Sequence, residues 1–172
     1  MKLIPYKAME VLIFSSTTGD RDTIWLRDIR IEYPDIPKWK KYNAQVFSVY
    51  GKFSGPFPNN NEKKIYGLLF EVRAATPDSE TTLGIHLKAK NAMLYEPQLF
   101  PLSSLYNYHK NEITIDSLKH QDVWVIPADT TSGKGKIYYD TRSNVITEVI
   151  WSKEEGLLQF KLKDGEVWTK IN

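Results

Sequence analysis

The chain contains no cysteine. Disulfide scaffolds, thiolate metal sites and cysteine nucleophiles are therefore excluded. It also has little surplus charge: 23 Lys and Arg face 21 Asp and Glu, a formal net charge of +2. A protein that tracks a phosphate backbone ordinarily carries a denser basic excess. No apolar run approaches the ~18 residues of a membrane-spanning helix. Pro5, Lys7 and Glu10 interrupt the N-terminal MKLIPYKAMEVLIF before it can form the apolar core of a signal peptide. These features lead to the expectation of an unprocessed, cytoplasmic chain with no membrane partner. There is no Gly-x-Ser-x-Gly nucleophile motif, and no segment repeats in tandem.

What is abundant is aromatic and β-branched sequence. Ten Tyr, seven Phe and five Trp make up 13% of the 172 residues. Such residues favour strands and binding surfaces alike. The length suits a single domain over residues 1–172, large enough to bury roughly 70% of the surface of its unfolded chain.

Period-two alternation dominates. In TLGIHLKAK, Leu83, Ile85 and Leu87 share one face, while His86, Lys88 and Lys90 share the other, which describes a half-buried strand. KIYGLLFEVR is apolar on both faces, as a covered central strand would be. DTIWLRDIRIEY alternates, slips by one residue near Asp28, then resumes at Ile29 and Ile31, the trace a β-bulge leaves in sequence. KDGE, with Asp164-Gly165 between two alternating runs, is a strong hairpin signal. TRSN and SKEEG mark looser turns. Helical spacing is confined to PLSSLYNYH, with Pro101 leading and Leu102, Leu105, Tyr106 and His109 on one face, and to a further turn over KNAMLYE.

The pattern predicts an all-β, β-dominated fold: an antiparallel β-sandwich or barrel with one or two short helices around residues 91 to 109. It ends in a four-strand meander over residues 136 to 140, 145 to 151, 157 to 163 and 166 to 171. About eleven strands must solve their edge problem by closing or stacking.

Several motifs invite a chemical reading. ADTTSGKGK (128 to 136) has the Gly133-Lys134 of a phosphate loop but lacks its first glycine. It has Gly135 where a Ser or Thr belongs, and its expected continuation is a strand instead of a helix. A flexible hairpin loop is the reading preferred. The three histidines, His86, His109 and His120, lack metal-ligand spacing, so neither a metal nor a cofactor is expected. His86 reads as a surface imidazole, whereas His109 with Glu112 and His120 with Asp122 are possible acid–base pairs by proximity. Catalysis would require such groups to converge in space, and an enzyme is not the favoured reading.

PKWKKY (37 to 42) is the densest basic-aromatic segment. Trp39 and Tyr42 could stack bases while its lysines meet phosphates, or the segment could dock a protein, or Trp39 could plug the edge of the core. In the last strand, inward Val167, Thr169 and Ile171 would leave Trp168 and Lys170 outside. Alternatively, Trp168 is covered on the second face of the sheet. The function expected is a small binding or inhibitor module, of the immunity-protein type, acting on a protein partner. Its surface patch would comprise Trp39, Lys40, Tyr42, Trp168 and Lys170. A β-barrel carrier of a small apolar ligand and a single-strand nucleic-acid binder using residues 37 to 42 are the alternatives.

Overall fold

The computed structural model describes residues 4–33, 45–53, 67–89, 92–93, 98–128 and 133–171. Its strands are β1 (Val11–Ser16), β2 (Arg21–Glu32), β3 (Val46–Phe53), β4 (Gly67–Arg73), β5 (Thr82–Ile85), β6 (Lys88–Ala89), β7 (Ala92–Met93), β8 (Gln98–Pro101), β9 (His109–Ile115), β10 (Leu118–Pro127), β11 (Ile146–Ser152), β12 (Gly156–Leu162) and β13 (Val167–Lys170). Helix α1 (Leu102–Leu105) runs into a 3₁₀ turn (Tyr106–Tyr108), and α2 covers Gly133–Thr141.

An 11-stranded antiparallel sheet has the order β8-β5-β4-β3-β2-β1-β13-β12-β11-β10-β9, and β6 pairs with β7 alone. The first and last strands of the chain meet in its middle, with Phe14 opposite Lys170 and Ser16 opposite Trp168. The two edge strands, β8 and β9, are consecutive in sequence and joined only by α1 and the 3₁₀ turn. That link spans on the order of 10–14 Å. In a flat sheet of this width the edges would lie roughly 48 Å apart. The sheet therefore has to curl, and it forms a half-barrel.

The inner face holds the main core. Trp151, Trp168, Phe14, Phe70 and Phe160 are all below 2% exposed. Tyr6 seals one end, its ring centroid 5.3 Å from that of Phe70 and 5.9 Å from that of Trp151. Leu105 of α1 joins the same core from the link between the edges. Leu69, Phe70 and Glu71 are buried in succession, so β4 is covered on both faces, as its pattern implied.

The bulge lies where the alternation slips. Leu26 pairs with Gly51 and Asp28 with Tyr50, which leaves Arg27 as the extra residue. The Asp164-Gly165 hairpin is also present. Gly165 takes φ +94°, and the Leu162 amide donates to the Glu166 carbonyl at 2.8 Å.

Two expectations need correction. Residues 136 to 140 belong to α2 and not to a strand. The run Ile137-Tyr138-Tyr139 is β-prone, but it is too short for its periodicity to decide. The helix gains an i,i+4 ion pair, Lys136 Nζ to Asp140 Oδ2 at 2.8 Å, and Thr141 Oγ1 donates to the Ile137 carbonyl at 2.8 Å. The C-terminal meander is therefore β10-β11-β12-β13, with α2 between its first two strands. A helix does begin within the 128 to 136 segment, at Gly133, which removes one reason against a phosphate loop. The missing first glycine and Gly135 in the hydroxyl position still count against it. In KNAMLYE, where a helical turn was expected, Ala92–Met93 is β7. Among the described residues no helix is long and apolar enough to cross a membrane.

Candidate functional site

Strand β10 outruns its neighbour. Its pairing with β11 ends at Val123 opposite Ser152, whereas its pairing with β9 continues out to Leu118 opposite Ile115. Where β11 ends, Asp122 takes φ +49°, a conformation that bends a strand sharply. The turn beyond is Asp116-Ser117, with φ +47° and +70°. Positive φ at both central residues is the geometry of a two-residue type I′ hairpin, here built without the usual glycine. The β9–β10 hairpin packs Ile113, Ile115 and Val123 against Ile150 and Leu158, a small second core separate from the main one. Leu158 can reach that core because of a second bulge: Ile150 pairs with Gln159 but Trp151 with Leu157, which leaves Leu158 as the extra residue.

Between this hairpin and β13 lies a recess of about 180 Å³. Ile115, Leu118, Leu158 and Ile171 supply its apolar lining, and Asp116, His120, Glu155, Thr169 and Lys170 its polar lining. His120 is only 12% exposed, and its Nδ1 lies 2.7 Å from Glu155 Oε1. A carboxylate only accepts, so Nδ1 carries the proton. Lys170 Nζ donates to the backbone carbonyl of Glu155 at 2.9 Å. Burial pulls the Lys170 ammonium below its ordinary pKa, although the Glu155 and Glu10 charges act in the opposite sense. Glu155 thus organises both His120 and Lys170, one through its side chain and one through its backbone. Its own position is fixed by the SKEEG turn, where buried Ser152 Oγ accepts the amides of Glu154 at 3.2 Å and Glu155 at 3.3 Å. Sequence reading took Glu155 for a turn residue. Its partner His120 lies 35 positions away, and no local pattern links the two.

The histidines do not converge. His109 Nε2 faces Asp122 Oδ1 at 3.4 Å, while Glu112 takes Lys119 at 2.8 Å and Gln121 at 2.6 Å. Neither anticipated pairing forms: His109 takes Asp122 and His120 takes Glu155. In an antiparallel hairpin the partner across the ladder is closer than the neighbour along the chain. His86 is not a plain surface imidazole. It is 19% exposed, and its Nε2 lies 3.1 Å from Oε1 of Glu71, which is 3% exposed. Arg73 binds the same carboxylate at 2.9 and 3.0 Å. Gly84 makes room for this arrangement, because a Cβ there would sit 2.5 Å from Glu71 Cγ. Beside it, Glu32 accepts from Ser48 Oγ at 3.0 Å and from the Tyr50 hydroxyl at 3.0 and 3.1 Å. Among the described residues no three or more His, Asp or Glu side chains are grouped to hold a metal.

Burial raises the Glu71 carboxyl pKa. The hydrogen bonds and charges of His86 and Arg73 outweigh that and hold it below its ordinary value of 4.5. A folded pKa below the unfolded one means stability that is fully present above about 4.5 and is lost as pH falls through the lower folded value. Glu71→Gln should therefore cost about 1.5–3 kcal/mol at pH 7, the range for hydrogen bonds to a charged group. It should also flatten the acid limb of a plot of urea midpoint against pH below about pH 4.5. An acid limb as steep as that of the unmodified protein would exclude Glu71 as a contributor.

Of the residues proposed from sequence, Lys170 lines the recess. Trp168 does not: it is 1% exposed and stacks on Phe160, centroids 5.9 Å apart and planes within 4°. The expected facing of β13 is thus inverted. Phe160 pairs with Trp168, and directly opposed residues share a face, so the inward Phe160 carries Trp168 into the core. Trp39, Lys40 and Tyr42 lie outside the described residues. The chain matches no protein-family model, no curated protein and no solved structure.

Proposed function

We propose that the protein is a binding module for a protein partner, and that the recess beside the β9–β10 hairpin is its anchor point. The observation that carries this reading is the size and rim of the recess. At about 180 Å³ it is smaller than the ~300–1,000 Å³ of cofactor and drug-sized sites. It suits one inserted side chain, the usual form of an interface hot spot. Leu118 is 65% exposed and Ile171 49% exposed, so two large apolar groups stand free at the rim beside a half-buried Lys170. An inner face filled by Trp151, Trp168, Phe70 and Phe160 offers less support to the carrier alternative, because a barrel carrier would hold its ligand there. An inhibitor would act by covering a partner's site with this preformed surface.

Tagged protein should retain one stoichiometric partner from native lysate after nuclease treatment. Leu118→Asp and Ile171→Asp should each weaken that capture by about tenfold or more, as loss of a hot-spot contact does. Both side chains are exposed, so the variants should remain folded. Capture unchanged in both variants would remove the recess from the interface. Capture abolished by nuclease would remove the protein partner.

A further inference from the structure

The recess is a seam between two parts of the molecule. Ile115, Asp116, Leu118 and His120 line it from the β9–β10 hairpin, and the rest of its lining belongs to the segments around β12 and β13. The hairpin leaves the sheet at Asp122. Its register passes from Val123 opposite Lys110 to Gln121 opposite Glu112, and the residue between, Asp122, is the left-handed one. Two contacts pin that point: the Lys153 amide donates to the Asp122 carbonyl at 3.2 Å, and His109 Nε2 lies 3.4 Å from Asp122 Oδ1. Beyond it, among the described residues, the backbone hydrogen bonds of residues 113–121 stay within the hairpin, because β11 has already ended at Ser152. Little else holds this part down. Of residues 113–121 only Ile115 is buried. Lys119 and Gln121 bind Glu112, on the hairpin itself. Among the described residues, the polar side-chain contact that crosses the seam is His120 Nδ1 to Glu155 Oε1 at 2.7 Å. A segment with so little buried apolar surface and no ladder to the body opens at a lower free energy than the core does.

We propose that residues 113–121 form a flap hinged at Asp122, and that the His120–Glu155 contact latches it shut over the recess. The arrangement described above is the shut state. The flap swings as a unit, because its ladder and its turn both lie on the far side of the hinge. Opening carries Ile115 and Leu118 away from Leu158 and Ile171, so the recess is complete only while the latch is made. Apolar cohesion across the seam is confined to Ile113 and Ile115 against Ile150 and Leu158. Against so small a contact, one hydrogen bond to a carboxylate shifts the balance between shut and open. The device is a property of the recess itself and stands whatever ligand enters it.

The chain has no cysteine, so one introduced thiol reports on one place. Leu157 and Leu158 are neighbours and both fully buried, but Leu157 belongs to the main core and Leu158 to the seam. In the folded full chain, 5,5′-dithiobis(2-nitrobenzoate) should label Leu158→Cys about tenfold or more faster than Leu157→Cys, since the first needs only the flap to open. Adding Glu155→Ala should speed the labelling of Leu158→Cys by about fivefold, the effect of one partly exposed hydrogen bond to a carboxylate, and leave Leu157→Cys unchanged. His120→Ala should do the same, and the two together should exceed neither alone, because they break one contact. A second measurement leaves the core intact: spin labels at Ser117→Cys and Glu154→Cys, both exposed positions, should gain a longer-distance population when His120→Ala is added. Equal labelling rates at the two leucine positions overturn the flap. Acceleration of both alike, acceleration of neither, or an unchanged distance distribution on loss of His120 overturns the latch.

Discussion

Gly156→Ala should destabilise the protein by about 3–8 kcal/mol, far more than an ordinary glycine substitution in a turn. Three costs coincide there. Gly156 takes φ +74°, a left-handed conformation that costs an L-residue about 1–2 kcal/mol. The added Cβ would also lie 2.3 Å from Tyr6 Oη and 2.4 Å from Tyr6 Cζ. Tyr6 has nowhere to go. It is 4% exposed, packed against Phe70 and Trp151, and accepts the Leu157 amide at 2.6 Å. Overpacking of this kind costs about 1–3 kcal/mol, and the displaced hydroxyl abandons a buried amide at about 1–3 kcal/mol more. Gly165→Ala is the control. It also has positive φ, +94°, but nothing lies within 4 Å of its Cβ, so it should carry the conformational cost alone. Urea midpoints of the two variants separate the effects. Equal destabilisation would mean that Tyr6 does not close over Gly156. Glu155 immediately precedes this glycine, so Gly156→Ala should also loosen the His120–Glu155 pair and weaken partner capture through the recess.

Much of the fold was legible because period-two patterning reports directly on which face is buried. Leu83, Ile85 and Leu87 are all buried, and the slip near Asp28 did mark a bulge. Where reading failed, the deciding contacts lay across the ladder. The inversion of β13 is set by Phe160, which lies in register with Trp168, because Val167-Trp168-Thr169 alternates equally well in either phase. The segment around Ile137 was short enough to suit a strand or a helix. The recess was hidden for a further reason. Its parts come from the β9–β10 hairpin, the turn before β12 and the end of β13, brought together by a left-handed Asp122 and a bulge at Leu158. Asp at positive φ is tolerated but not required by any sequence pattern, so a fold-back of this kind leaves no mark along the chain.

Trp168→Ala should cost about 3–5 kcal/mol, the range for removing a buried Trp or Phe. At roughly 2–4 °C per kcal/mol for a chain of this size, the melting temperature should fall by about 6–20 °C. The two roles considered for Trp168 make opposite predictions. A surface anchor would leave the melting temperature unchanged and abolish partner binding. A core residue stacked on Phe160 would lower the melting temperature and, well below it, leave the recess and its partner in place. Trp168→Phe sharpens the comparison, because it keeps a ring opposite Phe160 and removes only part of the buried volume. It should recover more than half of the lost stability. The variant pairs naturally with Leu118→Asp, for which the expectations are reversed: capture lost and melting temperature nearly unchanged, since Leu118 is 65% exposed. Together they test whether the interaction surface lies on the outer side of the half-barrel, at the folded-over hairpin, and not on the aromatic residues that the composition first brings to attention. A Trp168→Ala protein that melts within about 2 °C of the unmodified chain but no longer binds its partner would place the anchor at Trp168 after all, and the stacked, buried position described for it would be wrong.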